Sequence, residues 1–121
     1  MLQEAKNERF LKSASRASGL ACPVPVLLDM IGGKWKLHLL QVLIFHGTKR
    51  FGELKRELDG ITQTMLTNQL RALEEDGLVH RKVYAEVPPR VEYSATEAAL
   101  NLRPVFMAMH DWWTSNTDNP N

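Results

Sequence analysis

The sequence predicts a mainly α fold with a small β-wing (α+β), a winged helix-turn-helix. Three observations predict it. The run FGELKRELDGITQTMLTNQLRALEEDGLVHRKV at 51–83 orders a short helix, a tight turn, a longer helix, a glycine stop and a strand. That is the order of a helix-turn-helix feeding the first strand of a wing. A second strand pattern follows across Pro88-Pro89, and upstream the stretch 34–46 is apolar nearly all round, as a central core helix must be.

Taken in order, residues 1–21 are polar, Ser/Ala/Lys-rich and weakly periodic, which predicts a flexible arm or short helix. The folded domain is expected over 22–115, with a tail over 116–121. Pro23 and Pro25 bracket Val24 and should hold it extended. A helix then starts with Pro25 at its first position and buries Val26, Leu27, Met30 and Ile31, until Gly32-Gly33 breaks it. Lys34–His46 is the central helix. Phe51, Leu54 and Leu58 recur at i, i+3 and i+7, one stripe of a short helix. Asp59-Gly60 ends it, glycine being suited to the left-handed position after a helix. Thr62 caps the next helix. Met65 stands where a capping box would need Glu or Gln. Leu66, Leu70 and Leu73 form that helix's buried stripe, and Gly77 stops it.

Two strands are predicted, Val79 to Val87 and Val91 to Ser94. Val79, Val83, Ala85 and Val87 share one face and His80, Lys82, Tyr84 and Glu86 the other. The link Pro88-Pro89 has no Gly or Asn for a two-residue turn, so the wing tip should be wide and stiff, with Arg90 beside it. Thr96 caps a C-terminal helix that Pro104 kinks or restarts. Val105, Phe106, Met107, Met109, Trp112 and Trp113 follow, too much apolar surface for one side of a small monomer's last helix.

A chain of 121 residues with 44% hydrophobic content fits one domain with an ordinary core. No apolar stretch reaches transmembrane length and no signal-peptide core is evident, which predicts a cytoplasmic protein with no membrane partner. The single cysteine, Cys22, rules out an internal disulfide and agrees with a reducing compartment. His38, His46, His80 and His110 lack zinc spacing, and no Gly-rich phosphate loop or nucleophile motif is present. The reading is therefore no enzyme, no cofactor and no metal. Net charge is only +1, but residues 1–61 hold ten Lys/Arg against six Asp/Glu, while 62–121 hold five against eight.

The second helix of the motif carries the functional signal. At about 100° per residue, Thr64, Asn68 and Arg71 point away from its leucine stripe, with Thr67 beside them and Gln63 in the first turn. These are groups that hydrogen-bond base edges in a major groove. Lys49, Arg50, Lys55 and Arg56 surround the first helix and suit phosphates. Arg90 can enter a minor groove or pair with Glu92 or a neighbouring acid. The alternative function is a winged-helix module used only for protein contacts.

Together these residues resemble the HxlR-type winged helix-turn-helix transcriptional regulators over roughly 22–113. The strings are CPV at 22–24, GGKW at 32–35, RFGELKREL at 50–58, MLTNQLRALEEDGLV at 65–79, VPPRVEYS at 87–94 and LRPV at 102–105. The resemblance implies a homodimer that binds double-stranded operator DNA as repressor or activator. It implies dimerisation through the N- and C-terminal helices, here Leu27, Val105, Phe106, Met109, Trp112 and Trp113. It also implies a sensor thiol at Cys22, since some members respond to oxidants or electrophiles through a cysteine there; a small-molecule effector is the other option. Two departures stand out: a longer arm before Cys22, and Pro25 where the family more often has a polar, helix-compatible residue.

Overall fold

The computed structural model describes residues 23–117. The arm expected over 1–21, Cys22 and the last four residues lie outside the described residues. The elements are α1 (Val24–Ile31), α2 (Lys34–His46), β1 (Lys49–Arg50), α3 (Phe51–Glu57), α4 (Gln63–Glu75), β2 (Val79–Tyr84), β3 (Arg90–Ala95), α5 (Glu97–Leu100) and α6 (Arg103–Asn116). The fold class is the predicted one, mostly helical with a small antiparallel sheet.

α1 begins one residue before the expected start. Pro23 is its N-cap and Val24, not Pro25, its first residue. The first N–H groups of a helix have no partner within it, so proline fits the second position as well as the first. The Pro23 carbonyl accepts from Val26 N–H at 3.0 Å and Leu27 N–H at 3.1 Å, which pulls Val24 into the helix. Ile31 is the buried residue of α1; Leu27 and Met30 are half-buried against the core. The backbone turns extended at Gly32 to leave α1, and glycine is required there because a Cβ would sit 2.3 Å from the Leu28 carbonyl oxygen.

α2 supplies the centre of the core through Leu39, Leu40, Leu43 and Ile44. α4 brings Leu66, Leu70 and Leu73, each at most 1% exposed, so the predicted leucine stripe is the buried one. Burying a leucine contributes roughly 1.5–3 kcal/mol. α3 adds Leu54, and Leu58 and Ile61 close the turn between the two helices. Phe45, in a helix whose sequence is apolar nearly all round, is 40% exposed and lies against α6.

The sheet has the order β1-β3-β2, all antiparallel. β1 was not expected: two residues are too short to show alternation, and Lys49 and Arg50 pair with Tyr93 and Glu92 of β3. β2 ends at Tyr84, three residues before the expected Val87, while β3 runs one residue further at each end than predicted. The Glu86 N–H donates to the Tyr84 carbonyl at 2.9 Å, turning the chain there. Pro88 and Pro89 then have no N–H to extend a ladder. Only Val79 of β2 is buried, and Val83 is 52% exposed, because the ribbon leaves the core beyond its first residues.

Thr96 caps α5 as predicted. Its Oγ1 accepts from Ala99 N–H at 3.3 Å and donates to the Gly77 carbonyl at 2.6 Å, tying α5 to the end of α4. Pro104 restarts the chain as a separate helix, α6. Arg103 donates to the Ile44 carbonyl at 3.2 Å, satisfying one of the unpaired carbonyls at the end of α2.

Candidate nucleic-acid interface

α4 is fixed at both ends by its own sequence. Thr62 Oγ1 accepts from Met65 N–H at 3.1 Å. At the other end Leu78 N–H reaches the Leu73 carbonyl at 2.9 Å and Gly77 N–H the Glu74 carbonyl at 3.0 Å. This is a Schellman closure, and Gly77 holds the positive φ of 80° it requires. With Leu66, Leu70 and Leu73 inward, Gln63, Thr64, Asn68 and Arg71 are exposed and Thr67 is half-buried. All five predicted base readers therefore share the outer side of one helix.

Lys55 and Arg56 are exposed on the last turn of α3. They border a groove with Gly60, Thr62 and Gln63, which puts two phosphate candidates next to the first turn of α4. Arg50 is the N-cap of α3, and its backbone N–H donates to Glu53 Oε1 at 2.8 Å. That hydrogen bond holds the Glu53 carboxyl below its ordinary pKa, against desolvation and with lesser help from the charges of Lys49, Arg50 and Arg56. Lys49 is already engaged, 3.3 Å from Glu57.

Arg90 realises the pairing that sequence offered as its alternative. Its guanidinium lies 3.5 Å from Glu86 and 3.4 Å from Glu92, and 4.0 Å from the centre of the Tyr84 ring. Glu86 is exposed, so its pair with Arg90 is worth about 0–1 kcal/mol, while Arg90 and Glu92 are both half-buried.

One residue of this surface escaped the sequence reading. Arg81 is exposed and lines, with Gln63, Thr67, Arg71 and Glu74, a cleft of about 440 Å³ between α4 and the sheet. Period-two alternation from Val79 was the available signal, since 81 falls on the same face as 79 and 83.

The residues proposed for dimer contact divide. Val105, Met109, Trp112 and Trp113 are 38%, 44%, 63% and 50% exposed, and α6 has no buried residue at all. Leu27 and Phe106 are half-buried against the chain's own core, Phe106 edge-on to Phe45 with ring centres 6.1 Å apart. Among the described residues, no cluster of His, Cys, Asp and Glu has the makings of a metal site, and no helix is long and apolar enough to cross a membrane.

A capped recognition helix, a basic first helix and a β-wing on one surface define a winged helix-turn-helix transcriptional regulator. A family described as HxlR-like helix-turn-helix matches residues 30–121, and the chain belongs to it. It is 53% identical over 100 residues to the uncharacterized HTH-type transcriptional regulator YybR of Bacillus subtilis (strain 168), covering 80% of this chain and 77% of that one. It is 57% identical over 91 residues to YdeP of the same organism, covering 75% and 70%. Among solved structures, the redox regulator HypR is similar in both states. The reduced form matches with a TM-score of 0.74 and 52% identity over 80% of this chain and 95% of that one. The oxidized form gives 0.71 and 53% over 81% and 100%. The family indicated by the six sequence strings is borne out.

Proposed function

We propose that this regulator works in the cytoplasm as a homodimer that reads operator DNA with the outer face of α4. Gln63, Thr64, Thr67, Asn68 and Arg71 address base edges in the major groove, with Arg suited to guanine and Asn to adenine. Lys55, Arg56 and Arg50 hold phosphates, and Lys49 and Arg90 join them by exchanging carboxylates for phosphates. The observation that carries this reading is the polar, exposed face of α4 set over a fully buried leucine stripe. The same face, free of apolar bulk apart from Met65 at its flank, argues against a module built only for protein contacts. The test compares a site selected from a random library with unselected duplex. Arg71→Ala should cost about 1–3 kcal/mol on the selected site and relax its preference. Lys55→Ala should weaken both duplexes alike. Equal losses for Arg71→Ala on both would make Arg71 a phosphate contact.

We propose further that Cys22 tunes this binding in response to oxidants or electrophiles. Support comes from the similarity to HypR, whose solved structures are described as oxidized and reduced. With one thiol per chain, the available products are a capped cysteine, a sulfenic acid or a bridge to the partner's thiol. Diamide should change the operator affinity of the wild type and leave Cys22→Ser unaffected. Equal affinities in all four conditions would reduce Cys22 to a packing residue.

A further inference from the structure

The cleft between α4 and the wing has a chemistry that the base readers and the phosphate holders of α3 leave unused. Its inner wall is set by strand register. Arg81 lies directly opposite Tyr93, and Val83 opposite Val91, so Arg81 shares a face of the sheet with Tyr93, which is buried. The strand thus places Arg81 where the sheet stops being core and becomes the wall of the cleft. The facing wall is α4, through Gln63, Thr67, Arg71 and Glu74.

Charge inside the cleft is unbalanced. Two guanidiniums face one carboxylate, and among the described residues neither Arg71 nor Arg81 has a carboxylate within ion-pair distance. The other two cations of the wing are engaged: Lys82 lies over the Tyr84 ring at 4.9 Å, and Arg90 is held by Glu86 and Glu92. Among the described residues, Arg81 is the wing cation with no such partner.

Duplex geometry supplies the ligand. A recognition helix occupies the major groove and a wing reaches toward the neighbouring minor groove. The ridge between those grooves is a sugar-phosphate backbone, so it must pass over the cleft that separates α4 from the wing. The geometry points to Arg81 as a DNA-phosphate contact that seats this ridge in the cleft between the recognition helix and the wing. The planar guanidinium suits bidentate contact with phosphate oxygens, while Arg71, on the helix side of the same cleft, adds positive potential and keeps its base-directed position. The inference rests on the DNA-reading role of α4.

The test uses the full-length protein, Arg81→Gln and Arg81→Lys, with a labelled random-sequence duplex and a library-selected site across a salt series. Arg81→Gln should weaken both duplexes by the same several-fold factor and lower the slope of log affinity against log salt by about 0.9. Arg81→Lys should keep the wild-type slope. Since Arg81 is exposed, both variants should keep the wild-type unfolding midpoint. An unchanged slope in Arg81→Gln, or a loss confined to the selected site, overturns the assignment. If the wild type itself shows no salt-dependent binding, the DNA-reading role of α4 fails instead, and the two failures are told apart by that control.

Discussion

α4 and α6 are two long helices whose outer faces are left uncovered among the described residues, and they differ in every respect that matters for function. α4 is capped by a threonine, stopped by a glycine and anchored by three leucines at most 1% exposed. Its outer face is amide, hydroxyl and guanidinium. α6 has no side-chain cap at its N-terminus, is closed at its other end by Asn116 and Thr117 side chains on the Trp112 and Trp113 carbonyls, has no buried residue, and exposes Val105, Met107, Met109, Trp112 and Trp113. A polar face on a rigid mount suits a ligand whose groups stand at fixed spacing, which base edges do. An apolar face on a helix that buries none of its own residues suits a protein surface that completes its burial. The chemistry of the uncovered face identifies the partner, and the way the helix is anchored shows whether that face is already in place.

The largest effect should come from the anchor of α4. Leu70→Ala removes a fully buried side chain and should cost about 2–5 kcal/mol of stability, read by chemical denaturation. Trp112→Ala, 63% exposed in one chain, should leave the subunit's own fold intact yet weaken self-association by about 2 kcal/mol as an interface anchor, read by sedimentation. If the two variants behaved alike in denaturation of dilute protein, the contrast between the helices would collapse.

The cap sharpens the comparison. Thr62→Ala breaks the bond to Met65 N–H and should cost about 1 kcal/mol. It should loosen the first turn, where Gln63 and Thr64 sit, so DNA affinity falls while the dimer is unchanged. Hydrogen exchange confined to the start of α4, with no change in α6, is the expected signature.

The smallest effect concerns the neighbouring α3. Glu53 has a lowered pKa in the folded protein, chiefly from the Arg50 N–H. Its contribution to stability is present above the unfolded carboxyl's pKa and is lost as pH falls through the folded value. Glu53→Gln should therefore lower the melting temperature slightly at neutral pH, and the two proteins should converge in acid. A constant difference at every pH would remove the charge from the explanation.

The parts of this fold that depend on local sequence were legible in it. The Thr62 cap, the Leu66/Leu70/Leu73 stripe, the Gly77 stop, the Thr96 cap and the restart at Pro104 are each decided within a few residues. What escaped was decided across strands. β1 exists because Lys49 and Arg50 meet Tyr93 and Glu92, partners more than forty positions away. The early end of β2 is the one local exception, a turn at Glu86, whereas Arg90's pairing with nearby acids was one of the two readings its sequence left open. Period-two alternation puts Arg81 on the face of Val79 and Val83, but its place in the cleft depends on α4, a helix that no spacing within β2 locates. Phe106 shows the limit of counting apolar residues, since helix phase alone did not separate the side chain that packs on Phe45 from the tryptophans that stay exposed.

One selection experiment tests both helices at once. The purified full-length protein is incubated with a random duplex library, and the bound fraction is amplified and sequenced. If the outer face of α4 reads bases and that of α6 joins two subunits, the enriched sites are pseudo-palindromes whose half-sites lie about one helical turn, roughly 10 base pairs, apart. Enrichment of an isolated half-site would contradict the dimer reading of α6. Salt-sensitive binding with no enriched sequence would contradict the base-reading role of α4, which is the centre of the account.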